Sequence, residues 1–237
     1  LALLGSIAMR TGALVQAEQF LRQAIALGAR SLDVQRELAS VLHQQERLAE
    51  ALSAVSILEQ KIGDLQISGA KALILDKLGR NPEALREHEK LLAKHADDPR
   101  VWLGYGNSLR WAGRNDEAIA AYRRSTTIDS EYGDAWWALA NIKNRVLTDG
   151  DIETMKSALE IAIDRRNIVP IHFALGRAWH DRKEYARAFG HFETGNRMRG
   201  DTINYRPEDL TAEVDEIIRL FDRDFFERRW RAAPTDQ

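Results

Sequence analysis

The 237-residue sequence contains no cysteine, which excludes a disulfide framework and any chemistry that depends on a thiolate. The lack of cysteine is typical of a reducing compartment, and we expect a cytoplasmic protein. The sequence also lacks any run of about 18 apolar residues, so it predicts no membrane span. Its apolar opening, LALLGSIAM, has no basic leader of the kind that a signal peptide carries.

An excess of charge of either sign is missing as well. The 34 Lys and Arg residues and 36 Asp and Glu residues give a formal net charge of -2. No global basic field is present to attract nucleic acid, so we expect no nucleic-acid partner. His88 and His95 lie seven residues apart in one predicted helix, about 10 Å along its axis, which is too far to hold one metal ion. We therefore expect no catalytic, metal or cofactor site.

What the sequence does contain is a repeat of about 34 residues, which is clearest between Pro99 and Ser130. Its positions 4, 7, 8, 11, 20 and 24 hold Trp102, Tyr105, Gly106, Leu109, Ala118 and Tyr122. This spacing resembles the tetratricopeptide repeat, W-x2-L-G-x2-Y followed by A-x3-F. The resemblance implies an all-α fold, a right-handed superhelical α-solenoid of helix pairs.

The physical reason for the spacing is that two short helices approach closely only where small side chains face each other. We expect Gly106 and Ala118 to supply that contact. The larger apolar residues form a stripe that a lone helix pair cannot bury, so neighbouring pairs must stack.

The period divides the chain into about six repeats followed by a different ending. The predicted units are 1–31, which begins as an incomplete helix, 32–64, 65–98, 99–132, 133–168 and 169–204. The fifth is degenerate, because its turn is stretched to Gly150 and its second helix restarts after Thr148, with Ile152, Met155, Leu159 and Ile163 at helical spacing. Residues 205–231 predict a capping or connecting helix, and 232–237 a linker or tail.

One part of the sequence resembles a narrower family. The segments HFALGRAWHD, DRKEYARAFGHFETGNRMRGDTINYRPEDL and VDEIIRLFDRDFF resemble the region that joins the repeats to the catalytic domain in bacterial tetratricopeptide-repeat sulfotransferases. The resemblance covers the repeats in general and about residues 168 to 230 in particular. It implies that a sulfotransferase domain, which binds 3'-phosphoadenosine 5'-phosphosulfate, would follow this chain and could contact it. It implies no catalytic or cofactor residue within the chain itself.

The candidate binding site is the concave wall, which positions 5, 9 and 12 of each first helix would line. Trp136 and Trp137 point about 100° apart, so if Trp136 enters the core, Trp137 faces away from it and becomes a candidate anchor. The alternatives are that the stretched fifth repeat shifts the wall, or that the C-terminal helix covers Trp137. The predicted partner-binding residues are Asn107, Arg110, Trp137, Asn141, Asn144, Phe173 and Arg177.

Asparagines at position 9 of consecutive repeats can hold a peptide backbone, although asparagine is also common at this position. Leu103, Ala138, Pro170 and Ala174 replace polar residues of the carboxylate clamp that chaperone-binding repeats use, so a chaperone tail is disfavoured. The sequence thus predicts a non-catalytic scaffold that binds protein or peptide, as the N-terminal region of a sulfotransferase-like protein. The alternative is a free-standing adaptor in a multiprotein complex.

Overall fold

The computed structural model describes residues 1–61, 63–142, 145–200 and 207–226. Those residues form α-helices and no strand. A further helical turn covers 223–226. The helices are α1 (Ala2–Arg10), α2 (Leu14–Ala26), α3 (Leu32–Gln44), α4 (Leu48–Lys61), α5 (Leu65–Lys77), α6 (Asn81–Leu92), α7 (Pro99–Trp111), α8 (Asn115–Ile128), α9 (Gly133–Ala140), α10 (Asp149–Ile161), α11 (Arg165–Asp181), α12 (Tyr185–Gly200) and α13 (Pro207–Leu220).

The helices pack in pairs, and the pairs pack on each other in chain order. The pairs α1 with α2, α3 with α4, α5 with α6 and α7 with α8 make the most extensive contacts in the first half of the chain. The second helix of each pair then contacts the first helix of the next pair. This arrangement confirms the predicted all-α solenoid of helix pairs.

A close contact recurs between position 8 of the first helix and position 24 of the second. A Cβ atom on Gly106 would overlap the ring of Tyr122, and one on Gly176 would overlap the ring of Phe192. In the first repeat, a Cβ atom on Gly5 would lie 2.7 Å from Leu21. The atoms nearest to such a Cβ on Gly106 belong to Tyr122, while Ala118, the expected partner, is fully buried on the same helix as Tyr122. Glycine is needed because a large side chain at position 24 lies on its backbone.

The tryptophan at position 4 makes the same hydrogen bond in consecutive repeats. Trp102 Nε1 donates to the carbonyl oxygen of Ala96, and Trp136 Nε1 donates to that of Ser130, both at 2.8 Å. Trp136 is only 3% exposed, as predicted for a core residue. A buried indole N–H needs such a partner.

The fifth repeat departs from the regular pairing. Thr148 and Asp151 form a reciprocal capping box that starts α10, and Ile152 and Met155 are buried as predicted. Ile163 lies beyond the end of α10 and is 94% exposed, so its assignment to the helical stripe was wrong.

The irregular fifth repeat lets two first helices come together. α9 packs most extensively against α11. A Cβ atom on Gly133 would overlap the backbone of Asn167, which shows how closely the two helices approach. α11 begins at Arg165, earlier than the predicted repeat boundary at 169, because Asp164 caps it by accepting a hydrogen bond from the Arg166 N–H.

Residues Leu1–Gly195 form one compact unit, and Asn196–Gln237 form a second. The second unit contains α13, whose apolar residues Leu210, Val214, Ile217 and Ile218 are 44 to 64% exposed. The capping role predicted for 205–231 stays a prediction, and 205–206, 227–231 and the predicted tail 232–237 lie outside the described residues. None of the described helices is long and apolar enough to cross a bilayer.

Candidate functional site

We call the surface formed by the described residues at positions 5, 9 and 12 of the second to sixth repeats the first-helix face. Asn107 and Arg110 on α7 are exposed, and Trp137 on α9 is 37% exposed. Asn141, Phe173 and Arg177 are partly exposed. Asn144 lies outside the described residues. The face therefore offers six of the seven predicted residues to a ligand.

Two of these residues meet in an aromatic pair. The ring centroids of Trp137 and Phe173 are 5.7 Å apart, and Phe173 lies 6.5 Å from Phe192 behind it. The close approach of α9 and α11 produces the pair. Trp137 is thus both a partly exposed aromatic side chain and a contact between the fifth and sixth repeats.

Asn107 is held in one orientation. The hydroxyl of Tyr122 donates to Asn107 Oδ1 at 2.8 Å. Burial of Tyr122 raises the pKa of its hydroxyl, which keeps it a donor at neutral pH. The amide nitrogen of Asn107 is then the group positioned to donate to a ligand. Asn141 follows α9 directly as its C-cap residue.

The two arginines differ in their surroundings. Arg177 Nε lies 3.2 Å from Asp181 Oδ1, but the angle is not that of a hydrogen bond, and Nε is buried without a hydrogen-bond partner. Arg110 is exposed and lies near the Tyr122 hydroxyl. Its positive charge lowers the pKa of that hydroxyl, but burial raises the pKa by more. The charge of Arg110 is therefore the more available of the two.

The first-helix face also contains a groove made of two adjoining cavities. A cavity of about 330 Å³ lies between α5 and α7, with Leu65, Val101 and Trp111 among its apolar lining residues. A second cavity, of about 230 Å³, lies between α3 and α5. Gln66 and Leu73 line both. We call the two cavities together the α3–α5–α7 groove.

Gly69 lines the part of this groove that lies between α5 and α7. No atom lies within 4 Å of the place where a Cβ atom on Gly69 would stand. Gly69 and Leu73 occupy wall positions 5 and 9 of the third repeat. A larger residue at position 5 would project into the space that the groove provides.

Two buried polar side chains lie under the groove. Asp76 is 7% exposed and accepts hydrogen bonds from the Ser108 hydroxyl and from Asn81 Nδ2. Burial raises the pKa of Asp76, while these two hydrogen bonds oppose the rise. His88 is 6% exposed, and burial lowers its pKa to about 4, so it is neutral at pH 7.

His88 shows why the third repeat is unusual. It occupies position 24, where the fourth and sixth repeats have Tyr122 and Phe192, and its Nδ1 has no hydrogen-bond partner. Its ring lies against the backbone of Gly104. His95 lies beyond the end of α6 at Leu92, so the expectation that both histidines share one helix was wrong.

Sequence reasoning centred the site on the fourth to sixth repeats, whereas the groove lies on the second to fourth. Asn107 is the one predicted residue that lines it. Trp111, which is 50% exposed at the end of α7, was missed. Trp111 directly follows Arg110, which is at a wall position, and an aromatic residue at this place could have been recognised in the sequence.

These features define a helical-repeat protein with a ligand-accessible first-helix face. The family model described as "Tetratricopeptide repeat" matches residues 1–129, and the chain belongs to this family. The chain is 26% identical over 146 residues to human Protein O-mannosyl-transferase TMTC1, which corresponds to 60% of this chain and 17% of that protein. The chain thus spans about a sixth of the length of that relative.

A solved structure shows the same fold. A tetratricopeptide repeat protein from Parabacteroides merdae superimposes with a TM-score of 0.61 at 15% identity, over 89% of this chain and 80% of that chain. MamA from Desulfovibrio magneticus RS-1 gives a TM-score of 0.49 at 14% identity, over 83% of this chain and 92% of that chain.

Proposed function

We propose that the chain is a non-catalytic scaffold that binds a protein partner through an extended peptide on its first-helix face. The observation that carries the proposal is the α3–α5–α7 groove, an apolar recess that two consecutive helix gaps share. Farther along the same face, Trp137 and Phe173 offer a second apolar anchor, with Asn107, Arg110, Asn141 and Arg177 as polar contacts.

The physical basis is that peptide binding needs a few well-placed apolar anchors with polar groups between them. The groove supplies pockets for apolar side chains. The amide of Asn107 lies at its edge and can donate to a peptide carbonyl oxygen. Because the wall belongs to rigid helix pairs, little ordering of the scaffold opposes binding.

The test begins with selection of peptides from a random display library against the purified chain, followed by affinity measurements on the selected peptide. Trp137→Ala is expected to weaken the binding of that peptide by at least ~2 kcal/mol, about 30-fold in affinity. The melting temperature of the variant should also fall, because Trp137 is only 37% exposed and packs on Phe173, so both affinities are measured well below the melting transition of the variant.

Phe189→Ala is the matched control, because Phe189 is 66% exposed on the second helix of the sixth repeat. It should leave peptide affinity unchanged. An unchanged affinity in Trp137→Ala, or an equal loss in both variants, would contradict binding on this part of the first-helix face.

We further propose that these repeats are the N-terminal region of a bacterial, cytoplasmic sulfotransferase-like protein. The support is the sequence of residues 168 to 230, together with the absence of cysteine. In this proposal the chain has no cofactor of its own, and 3'-phosphoadenosine 5'-phosphosulfate would bind only to a following domain. The repeats would then position a protein or peptide substrate or partner for that domain.

The gene sequence beyond the codon for Gln237 tests this parentage. A strand followed by a glycine- and serine-containing phosphate-binding turn within about 20 residues would support it. A stop codon there would favour the free-standing adaptor instead, and the peptide-binding proposal would stand unaffected.

A further inference from the structure

A cluster of basic side chains lies away from the first-helix face, where α10, α11 and α12 meet. Lys156, His172, Trp179, Arg187 and His191 line a recess of about 360 Å³. We call it the basic recess. No carboxylate is among its lining residues. All of its residues belong to the first compact unit.

Trp179 brings two cations together in the basic recess. Lys156 Nζ lies 5.5 Å from the centroid of the Trp179 ring, and Arg187 Cζ lies 4.7 Å from it. Each cation is attracted to the ring face, but the two positive charges repel each other. An anion bound in the recess that both side chains line would offset that repulsion.

The two cations are not equally neutralised. Lys156 Nζ lies 2.7 Å from Glu153 Oε1 in an exposed ion pair. In the described part of the chain, Arg187 pairs with no carboxylate. Arg187 is therefore the charge most available to a ligand, and its guanidinium can donate two parallel hydrogen bonds to one oxyanion.

A pair of histidines completes the recess. His172 Nδ1 and His191 Nδ1 are 3.0 Å apart, and one nitrogen must donate while the other accepts. The ring whose Nδ1 accepts carries its own proton on Nε2. The pair therefore always includes an Nε2–H donor that the Nδ1 contact does not use.

The protonation of the pair fits this arrangement. Burial lowers the pKa of both histidines, and each is lowered further by a neighbour, His172 by His191 and His191 by Lys156. Both rings are thus neutral at pH 7, and the charge of the recess comes from Lys156 and Arg187.

We propose that the basic recess binds a tetrahedral oxyanion, phosphate or sulfate, either free or as a small ester. Arg187 supplies the bidentate contact, Lys156 adds charge, and the histidine pair donates one hydrogen bond. A transition metal on the two imidazoles is the competing ligand, but the adjacent cations oppose it. Among the described residues, no group of three or more His, Cys, Asp or Glu side chains could hold a metal ion.

The experiment is calorimetric titration of the full chain with sodium phosphate, sodium sulfate and phenyl phosphate, each balanced with chloride to constant ionic strength. Saturable binding at one site is expected, and Arg187→Gln should weaken it at least tenfold. Arg124→Gln is the control, because Arg124 is an exposed arginine on α8, outside the recess. Binding of phenyl phosphate as tight as that of phosphate would indicate an esterified ligand, and weaker binding would indicate the free ion.

The imidazole NMR signals of His172 and His191 provide a second readout, which does not depend on the Arg187→Gln variant. They report directly whether an anion binds beside the two rings. Phosphate should shift both signals in the wild type. The proposal is overturned if phosphate and sulfate give no saturable binding, if Arg187→Gln binds as tightly as the wild type, or if Zn²⁺ shifts the two imidazoles and the oxyanions do not.

Discussion

The neutral, buried His88 should make the stability of the protein fall in mild acid. Its pKa is about 4 in the folded protein and 6.5 in the unfolded chain, because burial opposes the charged form more strongly than nearby Glu87 favours it. Below pH 6.5 the unfolded chain binds a proton that the folded protein does not. The free energy of unfolding is therefore unaffected by protonation of His88 well above pH 6.5, and it decreases as the pH falls from 6.5 toward 4.

The magnitude follows from these two pKa values. Between pH 8 and pH 5, His88 should remove about 2 kcal/mol from the free energy of unfolding, and about 3 kcal/mol once the pH is below 4. A typical domain is stable by only about 5–15 kcal/mol, so the loss is measurable by urea unfolding.

The matched variant is His88→Leu, since position 24 of the first repeat already holds the buried Leu21. The change nearly conserves volume, so we expect it to alter stability at pH 8 by less than about 1.5 kcal/mol. Between pH 8 and pH 5 the variant should lose about 2 kcal/mol less than the wild type. Burial also lowers the pKa of His43, His172 and His191, but these remain in both proteins and cancel in the comparison. Equal pH dependence in the two proteins would refute the reasoning.

Two further predictions concern the repeat geometry, and urea unfolding measures both. Gly106→Ala should lower the free energy of unfolding by about 1–3 kcal/mol, because its Cβ atom would overlap the Tyr122 ring. The double variant with Tyr122→Val should lose less stability than the sum of the two single variants. Strictly additive losses would show that the two positions do not touch. Thr148→Ala should cost about 1 kcal/mol, because it removes the capping box that starts α10; no loss would mean that α10 does not depend on its cap.

The period of the sequence was enough to predict the helix pairs, because small and large residues at fixed positions determine how two helices meet. It could not predict which residue opposes Gly106, since Ala118 and Tyr122 both face the first helix. The pattern indicated a degenerate fifth repeat, but it did not indicate that α9 would pack most extensively against α11. That contact depends on a backbone approach at Gly133, for which the sequence offers no distinctive signal.

The candidate site was predictable only in part. Positions 5, 9 and 12 indicated the first-helix face, but the choice among repeats relied on conspicuous polar and aromatic residues. Gly69 leaves open space in the part of the α3–α5–α7 groove between α5 and α7, and a small residue at one position is not a distinctive signal in a sequence. The basic recess was missed because its residues come from three helices that belong to two repeats.

The binding role of the first-helix face is tested most directly by filling the α3–α5–α7 groove. Gly69→Leu places a large side chain in the groove. Gly69→Ala is the control at the same site, because it gains a similar helix propensity, about 1 kcal/mol, but adds little bulk. The affinity of a library-selected peptide should fall at least tenfold in Gly69→Leu and stay unchanged in Gly69→Ala, while both variants melt no lower than the wild type. Wild-type affinity in a stably folded Gly69→Leu would contradict binding in this groove.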